Sequence, residues 1–146
     1  MRRKNNKGFS LVELAIGLAV ITVLILAVSM SSGIRDTARQ QSAVDSVQAL
    51  RSASESYLAS GKLNYASVSF TELKNGNFLP ANFNASGTNP WGGNFTLGVN
   101  SSNNTRVDIT LTSVASADNT KLTTFFNNIA LNTSYDTTGK TWTATF

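Results

Sequence analysis

The sequence predicts an α+β fold, with one long N-terminal helix packed on a small antiparallel β-sheet. Three observations predict it. An apolar stretch over residues 9–33 runs without a break into a helically spaced apolar stripe over residues 34–60. No Pro occurs before residue 80. Beyond residue 61 the chain is rich in Asn, Ser and Thr and alternates apolar with polar residues in short segments.

The helix is expected from about residue 9 to about residue 60. Its first half contains an uncharged run of 21 residues, Leu14 to Ile34. That is enough to span a bilayer, which takes about 20 apolar residues. The second half continues with Ile34, Ala38, Val44, Val47, Leu50, Tyr57 and Leu58, interleaved with charged and amide residues, and is therefore amphipathic. Gly61 is the expected stop. Gly17 and the Ser31-Ser32-Gly33 cluster are its weakest helical points. They read either as points of helix flexibility or, for Gly17, as space for close helix packing.

After the helix, Ser69 to Lys74 is expected to form one capped turn closed by Asn75-Gly76. Strands are expected at Asn94–Val99 and Arg106–Val114, with a polar turn between them. Ser116 or Asp118 is the expected cap of a helix across Leu122, Phe125, Phe126 and Ile129. Thr141 to Phe146 alternates again and reads as the last strand. Phe125, Phe126 and Trp142 are expected in the core.

Charge and composition narrow the function. There is no Cys and no His among the 146 residues. Disulfides, thiol nucleophiles, Cys/His zinc sites and Ser-His-Asp chemistry are thereby excluded. Arg2, Arg3, Lys4 and Lys7 carry the whole net charge of +4, because eight basic and eight acidic residues balance from residue 9 onward. A basic body for binding nucleic acid is absent. The N-terminal charge is instead topogenic, holding that end in the cytoplasm while the rest is exported. A secretory signal peptide is the rival reading, with Ala27-Val28-Ser29 as its cleavage site. No acid–base pair, metal cluster or phosphate loop stands out, so no catalytic residue, metal or cofactor is expected. Asp108, Asp118 and Asp136 read as solvated surface acids.

Lys7-Gly8-Phe9-Ser10-Leu11-Val12-Glu13 resembles the N-terminus of the type IV pilin superfamily. The features shared are a basic leader ending in Gly, then Phe, then Glu as the fifth residue after the break, then an apolar helix. Asn89-Pro90-Trp91-Gly92-Gly93 is similar to the loop that enters the first strand in type IVb pilins and type II secretion pseudopilins. The resemblance implies a pilin fold and no enzymatic activity. It also implies cleavage between Gly8 and Phe9 by prepilin peptidase and methylation of the Phe9 amine. Residues 1–8 are then a leader, 9–33 the membrane and filament-core half of the helix, 34–60 its amphipathic half, and 61–146 the globular sheet domain. The implied partners are copies of the chain in a helical filament, the assembly machinery, and the inner membrane before assembly.

Physical chemistry gives Glu13 a role in this scheme. An ionised carboxylate within a membrane costs at least about 2 kcal/mol. The Phe9 amine of a neighbouring subunit would neutralise it and set the stagger between helices. The competing reading places Glu13 near enough to the membrane surface to be solvated. The sequence departs from the type IVb pattern in lacking the two Cys that tie the C-terminal region to the rest of the domain.

Overall fold

A computed structural model of the chain describes residues 11–80, 83 and 87–146; the side chains at positions 11, 13 and 26–32 lie outside that description. It contains one long helix, α1 (Leu11–Ala59), two short ones, α2 (Phe70–Asn75) and α3 (Ser116–Phe126), and four strands. The strands are β1 (Phe95–Asn100), β2 (Asn103–Leu111), β3 (Asn132–Asp136) and β4 (Thr141–Thr145). The chain divides into two compact units, residues 1–37 and 38–146.

In the first unit, the described apolar side chains of α1 face solvent; Leu14, Leu18, Ile21 and Ile25 are each more than half exposed. Among the described residues no helix is long and apolar enough to cross a membrane. The expected span, Leu14 to Ile34, includes positions whose side chains are not described. The helix runs unbroken through Gly17 and Gly33.

In the second unit, α1 packs on the sheet. Ala43, Val44, Val47 and Leu50 join Ile109 and Leu111 of β2, Trp142 and Ala144 of β4, and Leu122 and Phe126 of α3 in one core. Ala53 and Tyr57 join Tyr65, Val68, Leu73 and Val107 in a second. The buried face therefore differs from the expected stripe. Ala38 is exposed, while Ala43, Ala53 and Ser54 are buried. Small residues let the helix lie close against the sheet, and this is the face where close approach counts. Ser54 is fully buried because its hydroxyl donates to the Leu50 carbonyl at 2.8 Å, which leaves no unpaired polar group.

Helix α1 ends where expected. Gly61 adopts φ +98°, a left-handed conformation that favours glycine, and its amide donates to the Leu58 carbonyl. The capped turn is also as expected, with the Ser69 hydroxyl accepting from the Glu72 amide at 3.2 Å.

The sheet is antiparallel throughout, in the order β1-β2-β4-β3. The β1–β2 turn is held by Asn100, whose side-chain carbonyl accepts from the amides of Ser102 and Asn103. Strands β1, β2 and β4 lie within about three residues of the expected positions. Edge strand β3 was not expected. Thr133 and Tyr135 face inward on it, and the Tyr135 hydroxyl donates to the Val114 carbonyl at 2.8 Å.

Three further expectations are corrected. Neither Ser116 nor Asp118 caps α3, whose N-cap is Ala115 without a side-chain bond. The helix ends at Phe126, so Ile129 lies beyond it, and Phe125 is 43% exposed rather than in the core. Phe126 and Trp142 are fully buried, their rings 5.3 Å apart.

Candidate assembly elements and the Asn-Pro-Trp turn

The candidate sites fall in two places. Gly8 and Phe9 lie outside the described residues, as does the side chain of Glu13. Pro90, Trp91, Gly92 and Gly93 are described, and the structure gathers them around the residue that opens the same motif.

That residue is Asn89, 3% exposed. Its side-chain carbonyl accepts from the amides of Trp91 at 3.0 Å and Gly93 at 3.1 Å. Its side-chain amide donates to the carbonyls of Thr112 at 2.6 Å and Asn94 at 3.3 Å. All four hydrogen-bonding positions of the carboxamide are thus used. The Asn89 backbone amide donates to the Gly93 carbonyl, and the Gly92 amide to the Asn89 carbonyl. Pro90 supplies a fixed φ at the first corner of this closed turn. The signal for Asn89 is its place before Pro, where Asn favours a turn that its own side chain closes.

The two glycines are required for different reasons. Gly92 has φ +82°. At Gly93 a Cβ would fall onto the Thr112 carbonyl, which is rigid backbone beside β2. Gly93→Ala is therefore expected to destabilise the domain by ~1–3 kcal/mol. Gly98→Ala in β1, where a Cβ meets open space, should stay within about 0.5 kcal/mol. Thermal unfolding of the two variants side by side checks this.

Trp91 carries the turn to two other segments. Its indole Nε1 donates to Asp118 Oδ2 at 2.8 Å, and Gln40 Nε2 on α1 donates to the other carboxylate oxygen. Asp118, expected as a surface acid, is thus 9% exposed and bridges the turn, α3 and α1. Its role could not be read from spacing, because the three residues lie far apart in sequence. Asp108 is half-buried and accepts from Asn100 and from the Thr145 hydroxyl. Asp136 is exposed and closes the β3–β4 turn. The three acids thus serve separate structural tasks, and the described residues contain no group of His, Cys, Asp or Glu able to hold a metal.

One cavity of about 190 Å³ lies between α1 and one end of the sheet, lined by Arg51, Glu55, Tyr65, Val107, Leu131 and Phe146 among others. Arg51 Nε donates to Glu55 Oε1 at 2.8 Å, and the guanidinium sits over the Phe146 ring at 5.3 Å. Burial raises the pKa of the Tyr65 hydroxyl; the Glu55 carboxylate adds to the rise and the Arg51 guanidinium opposes it.

Two family profiles match the chain. Residues 3–29 match the prokaryotic N-terminal methylation motif, and residues 37–144 match the PilS N-terminal family. The chain belongs to that family, within the type IV pilin superfamily. A comparison with curated proteins returned no match. The pilin fold accounts for the arrangement seen here, a long helix whose later half packs on a four-stranded antiparallel sheet. Members are structural subunits, so the pilin's buried polar groups are read as fold-holding devices.

Proposed function

We propose that this pilin is the major, type IVb-like subunit of a type IV pilus on the cell surface. The observation that carries the reading is the junction Lys7-Gly8-Phe9-Ser10-Leu11-Val12-Glu13 followed by 21 uncharged residues, inside the segment that matches the methylation motif. The precursor sits in the inner membrane with its basic end cytoplasmic. Prepilin peptidase cuts between Gly8 and Phe9, and the Phe9 amine is methylated. Residues 9 to about 60 then form the filament core, with the membrane half of the helix transferred from lipid to neighbouring helices. Gly17 and Gly33 leave room or give way there. A Cβ at either meets nothing within 4 Å in the single chain, which leaves space for another subunit.

The globular domain faces outward in this reading. Of the 86 residues 61–146, 37 are Asn, Ser or Thr, a neutral polar surface suited to a solvated or adhesive exterior. Adhesion, aggregation, motility and uptake are the roles open to such a filament. A type II secretion pseudopilin or a minor tip pilin would share the fold and differ in where the processed chain resides.

Glu13→Ala tests the assembly step. The variant is expected to be cleaved at Gly8-Phe9 as usual and to reach the membrane at normal levels. Surface filaments should fall by at least about tenfold, the factor that 1.4 kcal/mol of lost pairing supplies. Quantifying sheared filaments against membrane-bound subunit checks this. Unchanged filament yield would assign Glu13 to solvent.

A further inference from the structure

The cavity beside Arg51 is chemically unlike the rest of the domain. It brings together one cation, one anion, the hydroxyl of Tyr65 and an apolar wall. Tyr65 is only 5% exposed, yet no protein group among the described residues hydrogen-bonds its hydroxyl, which faces the open space of the cavity. Arg51 uses Nε on Glu55 and its planar face on Phe146, which leaves its two terminal nitrogens as donors. Glu55 uses one oxygen on Arg51 and keeps the other as an acceptor. Val107, Leu131 and Phe146 supply the wall, and Leu131 is 64% exposed at its edge.

We propose that this cavity binds a free α-amino acid with an apolar side chain. Such a molecule carries the two charges the cavity complements and the apolar body its wall would cover. Its carboxylate would accept from the Arg51 terminal nitrogens and from the Tyr65 hydroxyl. Its ammonium would donate to the second oxygen of Glu55. A zwitterion offers an opposite charge to each member of the Arg51–Glu55 pair, whereas a simple acid or amine offers one to a single member. Size agrees, because about 190 Å³ is below the roughly 300–1,000 Å³ of sites for drug-sized molecules. A tyrosine hydroxyl, here with its pKa raised further by burial, is protonated and a donor at neutral pH.

The test is calorimetric titration of the full chain in a non-ionic detergent with three probes: L-leucine, leucinamide and 4-methylpentanoate. Leucinamide lacks the carboxylate, and 4-methylpentanoate lacks the ammonium. Leucine is expected to bind saturably, with each analogue at least about tenfold weaker, a factor within the range for loss of a charge-assisted hydrogen bond. Tyr65→Phe removes one hydroxyl that no described protein group uses, so the fold should persist by circular dichroism. It should weaken leucine and 4-methylpentanoate several-fold and leucinamide less, because a carboxamide oxygen accepts more weakly than a carboxylate. Absence of saturable leucine binding would overturn the proposal. So would analogues that bind as tightly as leucine, or a Tyr65→Phe effect equal for all three probes.

Discussion

Asn89→Ala should lower the stability of the globular domain by ~3 kcal/mol or more. The substitution removes four side-chain hydrogen bonds at once and leaves the amides of Trp91 and Gly93 and the carbonyls of Thr112 and Asn94 without that partner. Each buried group left unpaired costs about 1–3 kcal/mol, and partial solvation of the opened turn offsets part of the sum. A fall of roughly 10 °C in Tm follows for a domain of this size. Asn89→Asp is the informative control. It keeps the acceptor for Trp91 and Gly93 but sets a carboxylate against the Thr112 carbonyl. It should therefore be destabilised by the lost donor and by repulsion, while the local Trp91 turn persists. Thermal unfolding followed by near-UV circular dichroism separates the two variants, because Trp91 reports on the turn. Equal stability of Asn89→Ala and the parent would remove Asn89 from its place at the centre of the turn.

Trp142→Ala is expected to be as damaging or more so, at ~3–5 kcal/mol. Trp142 is fully buried between β2 and β3, its ring against Phe126 and its indole Nε1 donating to the Thr123 hydroxyl at 3.1 Å. Truncation would leave a void in the core shared by α1, α3 and the sheet, and would remove one of the two hydrogen bonds of the Thr123 hydroxyl, which still donates to Asn119 Oδ1. Trp142→Phe keeps most of the volume and should cost about 1–2 kcal/mol. Denaturant titration of both variants checks the ranking.

These two residues bear on the absence of Cys. A disulfide in the C-terminal region would contribute typically 2–4 kcal/mol. Here the region is tied by several weaker links of different kinds. Strand β4 pairs with β2 over four residues, and Phe126 and Trp142 enter the main core. Asp118 binds Trp91 and Gln40, and the Tyr135 hydroxyl reaches Val114.

Much of the architecture was legible because strong periodic signals produce it. The long helix, its stop at Gly61, the Ser69 cap and three of the four strands follow from spacing and turn chemistry. Strand β3 was not legible. Asn132-Thr133-Ser134-Tyr135-Asp136 has one large apolar residue, and it becomes a strand only because β4 presents an open edge to it. The buried face of α1 was not legible at Ala43, Ala53 and Ser54, since apolar counting favours large residues and close packing on a sheet favours small ones. Phe125 was placed inward by its hydrophobicity, whereas the end of α3 at Phe126 leaves only one of the two adjacent rings facing the core. In the turn, Pro90, Trp91, Gly92 and Gly93 stood out by residue type. Asn89 opens the same run, but its bond to Thr112 and those of Asp118 to Trp91 and Gln40 were not legible, because they are set by tertiary contact. Gly8, Phe9 and Glu13 rest on the motif itself.

The central claim is that the chain is a processed pilin that polymerises on the cell surface, and mass spectrometry of sheared surface filaments tests it most directly. The account predicts this chain as the dominant species, beginning at Phe9 and one methyl group heavier than the bare sequence. A chain that retains residues 1–8, or one that is cleaved but found only in membrane and periplasm, would contradict it.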